Sequence, residues 1–174
     1  MVLSQVLKKL AEACFLLDKI AEQECLVLGE RESFDYYLSA FLTAAMSVRG
    51  GFHYRQNPKR NQPIKAWRAQ CENNLSRQER SLYEFMREER VAEVHHSGSS
   101  RSVGQEGIEC GIGEHRLPGG LFSVFGPPGM PPVVIPKPTY NFTIDGAERR
   151  ATEVCGEYLA LLRRMVAEFE AARP

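Results

Sequence analysis

A chain of 174 residues, 43% hydrophobic and 25% charged, has the profile of one ordinary globular domain (residues 1–174) and is long enough to bury a core without staples. Its 22 basic and 22 acidic residues cancel, which argues against a nucleic-acid binder that relies on overall basic excess, and no apolar run nears the roughly 18 residues that a membrane span needs. Five cysteines, Cys14, Cys25, Cys71, Cys110 and Cys155, form no CxxC and read as reduced thiols of a cytoplasmic protein, and MVLSQVLKKL has no basic leader before an apolar run, as a signal peptide would.

In chain order, Leu3, Val6, Leu7, Leu10, Cys14, Leu17 and Ile20 recur at steps of three and four, which predicts an amphipathic helix over residues 2–24, with Gly29 after its end. Ser33 is a candidate N-cap for a second helix, where Phe34, Tyr37, Leu38, Phe41, Leu42, Ala45 and Val48 make a broad apolar face. Gly50-Gly51 stops it, because glycine accepts the backbone angles of a helix end. A turn-rich stretch over 51–63 leads to a short helix from Ile64 to about Asn74 that carries Trp67 and Cys71. Ser76 and Glu79, three apart, form a capping box. The helix it opens buries Leu82, Tyr83, Phe85 and Met86 and frays at His95.

Residues 97–142 change character, with glycine, serine and proline dominant. Leu117-Pro118-Gly119-Gly120 is a turn signal between β-like runs at about 107–116 and 121–125, which predicts a hairpin. Pro127-Pro128, Pro131-Pro132, Pro136 and Pro138 force an extended path, and Val133-Val134-Ile135 is expected to pack against the helices. From Asp145 a last helix runs to about Ala171, with Val154, Tyr158, Leu161, Leu162, Met165, Val166 and Phe169 on its face. The sum is an all-α, antiparallel four- to five-helix bundle with a long Gly/Pro-rich insertion, containing a hairpin, before the last helix.

Charge is segregated. Between Tyr36 and Cys71 there is no acidic residue, while Arg49, Arg55, Lys59, Arg60, Lys65 and Arg68 lie there together with Phe52, His53, Tyr54 and Trp67. Cations can hold phosphates while aromatic rings stack on bases, so this span is a candidate nucleic-acid surface, set against the plainer reading of a solvated loop.

A second feature concerns one arginine. Tyr83, Met86, Arg90 and Val94 follow at helical spacing, so Arg90 falls on the apolar stripe, where a guanidinium needs an anionic partner. His95 lies five residues on, about 140° around a continuous helix, so the two side chains of one copy diverge. They converge only if the helix breaks near Val94 or a second copy supplies one of them. The segment R-V-A-E-V-H resembles the R-x(4–6)-H motif of HEPN domains, and FDYYLSAFLTAAMSV over residues 34–48 is similar to the second helix of bacterial HEPN-like proteins. The resemblance covers roughly residues 1–96 and 145–171. It implies metal-independent RNA cleavage at a homodimer interface, in a toxin–antitoxin or defence setting with an antitoxin-like protein partner, and no cofactor. Arg90 would clamp phosphate oxygens in a bidentate fork, and His95 would move the proton, with His96 as its rival. Val91 stands where the family usually has a polar residue. That favours a second reading, a dimeric binding or scaffold protein of the same fold without turnover. Zinc ligation by His95, His96, Cys110 and His115 lacks the usual CxxC partner and is set aside, as is Gly111-Ile112-Gly113, which is too short for a dinucleotide loop.

Overall fold

The computed structural model describes residues 3–26, 30–51, 62–95, 101–110, 115–117, 120–122 and 133–172. Five helices appear: α1 (Leu3–Cys25), α2 (Arg31–Gly51), α3 (Gln62–Asn73), α4 (Arg77–His95) and α5 (Ala151–Ala172). Between α4 and α5 the described residues form five strands: β1 (Ser102–Cys110), β2 (His115–Leu117), β3 (Gly120–Phe122), β4 (Val133–Ile144) and β5 (Ala147–Arg150). The fold is an all-α bundle of five helices with a small antiparallel sheet ahead of the last one.

The apolar periodicities set the packing. On α2, Phe34, Leu38, Phe41, Leu42, Ala45 and Val48 are completely buried. They face Val6, Ala13, Leu16 and Ile20 of α1 and Val154, Tyr158, Leu162 and Met165 of α5 within one core. Each large side chain so buried contributes about 1.5–3 kcal/mol. The capping box at α4 forms in both directions: the Ser76 N–H donates to Glu79 Oε2 at 2.9 Å, and the Glu79 N–H donates to Ser76 Oγ at 3.2 Å. Arg80 Nη2 reaches back to the carbonyls of Glu72 and Asn73 at 3.1 and 3.3 Å, satisfying acceptors that the end of α3 leaves open.

The insertion differs from the expected hairpin. β2 and β3 do pair antiparallel, from His115↔Phe122 to Leu117↔Gly120. Residues 107–110, however, belong to β1, which runs antiparallel to β4 from Ser102↔Asn141 to Cys110↔Val133. The sheet order is β1-β4-β5. Alternation along β4 puts Tyr140, Phe142 and Ile144 into the helical core. Phe34 stacks on Tyr140 at 3.6 Å and 9°, and Phe85 meets Phe142 edge-on at 5.3 Å, which docks the sheet on α2 and α4. Val134 is 56% exposed rather than packed, because it lies at the far end of this ladder.

The last helix starts at Ala151, not Asp145. Asp145 and Gly146 have φ of 51° and 80°, a pair of positive values that makes a two-residue hairpin turn between β4 and β5. An alanine at Gly146 would meet no steric neighbour but would strain the backbone.

Candidate functional site

The inward face of α4 is Leu82, Tyr83, Met86 and Glu89. Arg90 sits beside that face, half-buried rather than fully enclosed. Ion pairs of α4 among the described residues join Arg87 to Glu84 (3.1 Å) and Glu88 (4.0 Å), Arg49 to Glu84 (3.7 Å), and Arg164 to Glu79 (2.6 Å). Arg90 takes part in none of them. Glu93, one turn further and on the same side of the helix, does not pair with it either. Its Oε2 is buried and has no hydrogen-bond partner. A half-buried guanidinium that forms no ion pair among the described residues keeps capacity for an anion, since burial strengthens its attraction for charge.

His95 is the last residue of α4. The helix is continuous from Arg90 to His95, so the two positions lie about 140° apart around its axis. His96 lies outside the described residues. The chain is gripped again at Arg101, whose side chain is 8% exposed and pairs with Asp35 of α2. This pair, next to the Phe34–Tyr140 stack, fastens the strand that follows the histidines to the start of α2. Burial, followed by the charge of Asp35, raises the pKa of Tyr140, whose hydroxyl has no hydrogen-bond partner. Nearby, Glu24 is only 6% exposed, accepts the Thr152 hydroxyl and lies 3.8 Å from Arg150 Nη1.

The three described members of the basic set, Arg49, Lys65 and Arg68, separate. Arg49 turns inward: it is 7% exposed, its Nη1 donates to the Tyr83 carbonyl at 3.3 Å, and its guanidinium lies 3.8 Å from the centre of the Tyr83 ring. Arg68 is held by Glu72, with Nε and Nη2 at 2.8 and 2.7 Å from one oxygen. The Tyr83 hydroxyl donates to that same oxygen at 3.0 Å, so Arg49, Tyr83, Glu72 and Arg68 form one chain of contacts across α2, α3 and α4. Burial pushes the Tyr83 phenol up to about 12. Burial also acts to raise Glu72, but hydrogen bonds from Arg68 and Tyr83 and the charges of Arg68 and Arg49 outweigh it and leave the carboxyl below its usual range. Only Lys65 stands exposed among the described members of the set. Arg55, Lys59 and Arg60 lie outside the described residues, as do Phe52, His53 and Tyr54.

No group of three or more His, Cys, Asp or Glu side chains suited to a metal occurs among the described residues, and none of their helices is long and apolar enough to cross a membrane. The sequence reading missed Glu89, Glu93, Arg101 and Tyr140. Glu89 and Glu93 carried a signal, since they continue the Leu82–Met86 stripe at helical spacing. No family model, curated protein or solved structure matches the chain.

Proposed function

We propose that the protein is a metal-independent endoribonuclease of the HEPN-like kind, acting as a homodimer with Arg90 and His95 as its catalytic pair. The observation that carries this reading is Arg90: it stands half-buried on α4, five residues before a helix-end histidine, without a carboxylate partner among the described residues. Their divergence around the helix means that one phosphate meets both groups only when a second copy contributes one of them. The chemistry suits the residue types. An imidazole with an ordinary pKa of about 6.5 takes the ribose 2′-OH proton as that oxygen attacks the adjacent phosphorus. The P–O5′ bond breaks, a protonated imidazole returns a proton to the leaving oxygen, and a 2′,3′-cyclic phosphate remains. Arg90 neutralises charge on the equatorial oxygens throughout. Incubation of total RNA with wild type, Arg90→Ala, His95→Ala and His96→Ala, with chelator present, tests this. Cleavage by wild type and its loss in Arg90→Ala and His95→Ala is the expected result. Inactive wild type, or equal activity in all four, removes the reading; loss in His96→Ala alone among the histidines moves the proton carrier by one residue.

One observation favours the second reading, a dimeric binding protein without turnover. Val91, next to Arg90, is 49% exposed and apolar, a better contact for another protein surface than for a phosphate. That reading predicts salt-sensitive RNA retention without cleavage, weakened when Arg55, Lys59 and Arg60 are neutralised together.

A further inference from the structure

The two outer edges of the β1-β4-β5 sheet are built differently. The turn at Asp145 and Gly146, with both φ positive, is the two-residue kind in which the flanking pair, here Ile144 and Ala147, exchanges backbone hydrogen bonds. Backbone groups of successive strand residues point to opposite sides. The N–H and C=O of Tyr140 and Val134, and the C=O of Pro138 and Pro136, therefore point the same way as those of Ile144, away from β1. Proline agrees, having no N–H to give to β1. Beyond β5, the outer edge of β4 consequently presents two donors, Val134 and Tyr140, with two prolines between them. Prolines so placed prevent an edge from pairing.

β1 has no such protection. Its Ser102, Gly104, Glu106 and Ile108 lie opposite Asn141, Thr139, Lys137 and Ile135, the β4 residues that face it. The groups of Val103, Gln105, Gly107 and Glu109 must then point outward. β1 contains no proline or lysine. Among the described residues, no strand or loop backbone bonds this edge. Its acidic Glu106 is already neutralised by Arg150 Nη2 at 2.7 Å.

We propose that β1 is a pairing edge and that it takes β1 of a second copy, antiparallel across a two-fold axis, so that one sheet runs through both chains. The asymmetry selects this occupant. The opposite edge is a poor partner, because β5 is only four residues long, two of them arginine, and prolines follow beyond it on β4; β1 therefore pairs best with a second β1, and such an isologous contact closes at two copies. Charge is compatible as well: a two-fold at Gln105 sets Glu106 opposite the partner's Gly104 and Val103 opposite the partner's Gly107, with no like charges facing. The contact concerns how two copies meet and stands whether or not the protein cleaves RNA.

Gln105→Pro tests it, because it deletes an outward donor and leaves the β1–β4 ladder whole; Gln105→Ala is the control. In analytical ultracentrifugation over a wide concentration range, wild type and the alanine variant dimerise. The proline variant associates about tenfold or more weakly, with an unchanged far-UV spectrum. Residue-resolved amide exchange supplies a readout that needs no variant. The amides of Gly104 and Glu106 are protected at all concentrations, whereas those of Val103, Gln105 and Gly107 gain protection only as the dimer fills. A wild type that stays monomeric, a dimer whose outward amides still exchange fast, an undiminished Gln105→Pro dimer, or protection of these amides in a monomer by an unrelated extended peptide would each overturn the proposal.

Discussion

Glu79→Gln separates charge from hydrogen bonding at one position. The carboxylate accepts Arg164 Nη1 at 2.6 Å and the Ser76 N–H at 2.9 Å. The Arg164 contact first, then the Ser76 backbone, hold its pKa at about 2 against an ordinary 4.5. Because the folded value is the lower one, protonation favours the unfolded chain. The contribution is complete above the unfolded value and fades as pH falls through the folded one. At about 1.36 kcal/mol per pH unit the full depression corresponds to about 3 kcal/mol. Glu79 is 30% exposed and Arg164 49% exposed, however, so water screens the pair, and about 1–2 kcal/mol is the expected contribution. The glutamine keeps an oxygen for the Ser76 N–H and loses only the charge. Urea unfolding of both proteins across pH should show wild type ahead by about 1–2 kcal/mol near pH 7, with less than half of that left by about pH 3. A gap that stays constant over this range would refute the reasoning, since it would mean that the carboxylate titrates alike in both states.

Arg49→Ala should destabilise the fold by about 2–4 kcal/mol in the same assay, because it empties a buried site and removes the contact with the Tyr83 ring and carbonyl; a loss below about 1 kcal/mol would mean that the guanidinium is solvated after all. Alkylation at mildly alkaline pH followed by mass mapping should label exposed Cys25 first. Cys71, pushed up to about 11 by burial and the Glu168 carboxylate, and Cys155, which burial also pushes up, should react only once the chain unfolds.

The helices could be read from the sequence because each carries its own period: the stripe from Phe34 to Val48 and the Ser76–Glu79 box are local signals, and both form. The β1–β4 pairing could not be read that way. Cys110 meets Val133 across a long excursion, and the prolines at 136 and 138 disguise a strand, since nothing local shows that they face away from β1, on the unpaired side of β4. The alternation of Tyr140, Phe142 and Ile144 and the Asp145-Gly146 turn were present in the sequence but hidden inside a presumed helix start. At the candidate site, spacing placed Arg90 and His95 on one helix, but it set Arg90 on the buried stripe, where Glu89 stands instead. Charge counting could not foresee that Arg49 would be drawn over Tyr83, because a run of arginines does not say which member the core will take.

The ladder from Ser102↔Asn141 to Cys110↔Val133 brings two distant points of the chain side by side at its far end, while its near end is locked to Phe34 and Phe85. Changes of length between Cys110 and Val133 are therefore expected to leave the buried end of the ladder in place. A foreign loop or tag spliced there would ride on a ready-made stem. The same exchange attempted nearer Tyr140 would pull out a piece of the core.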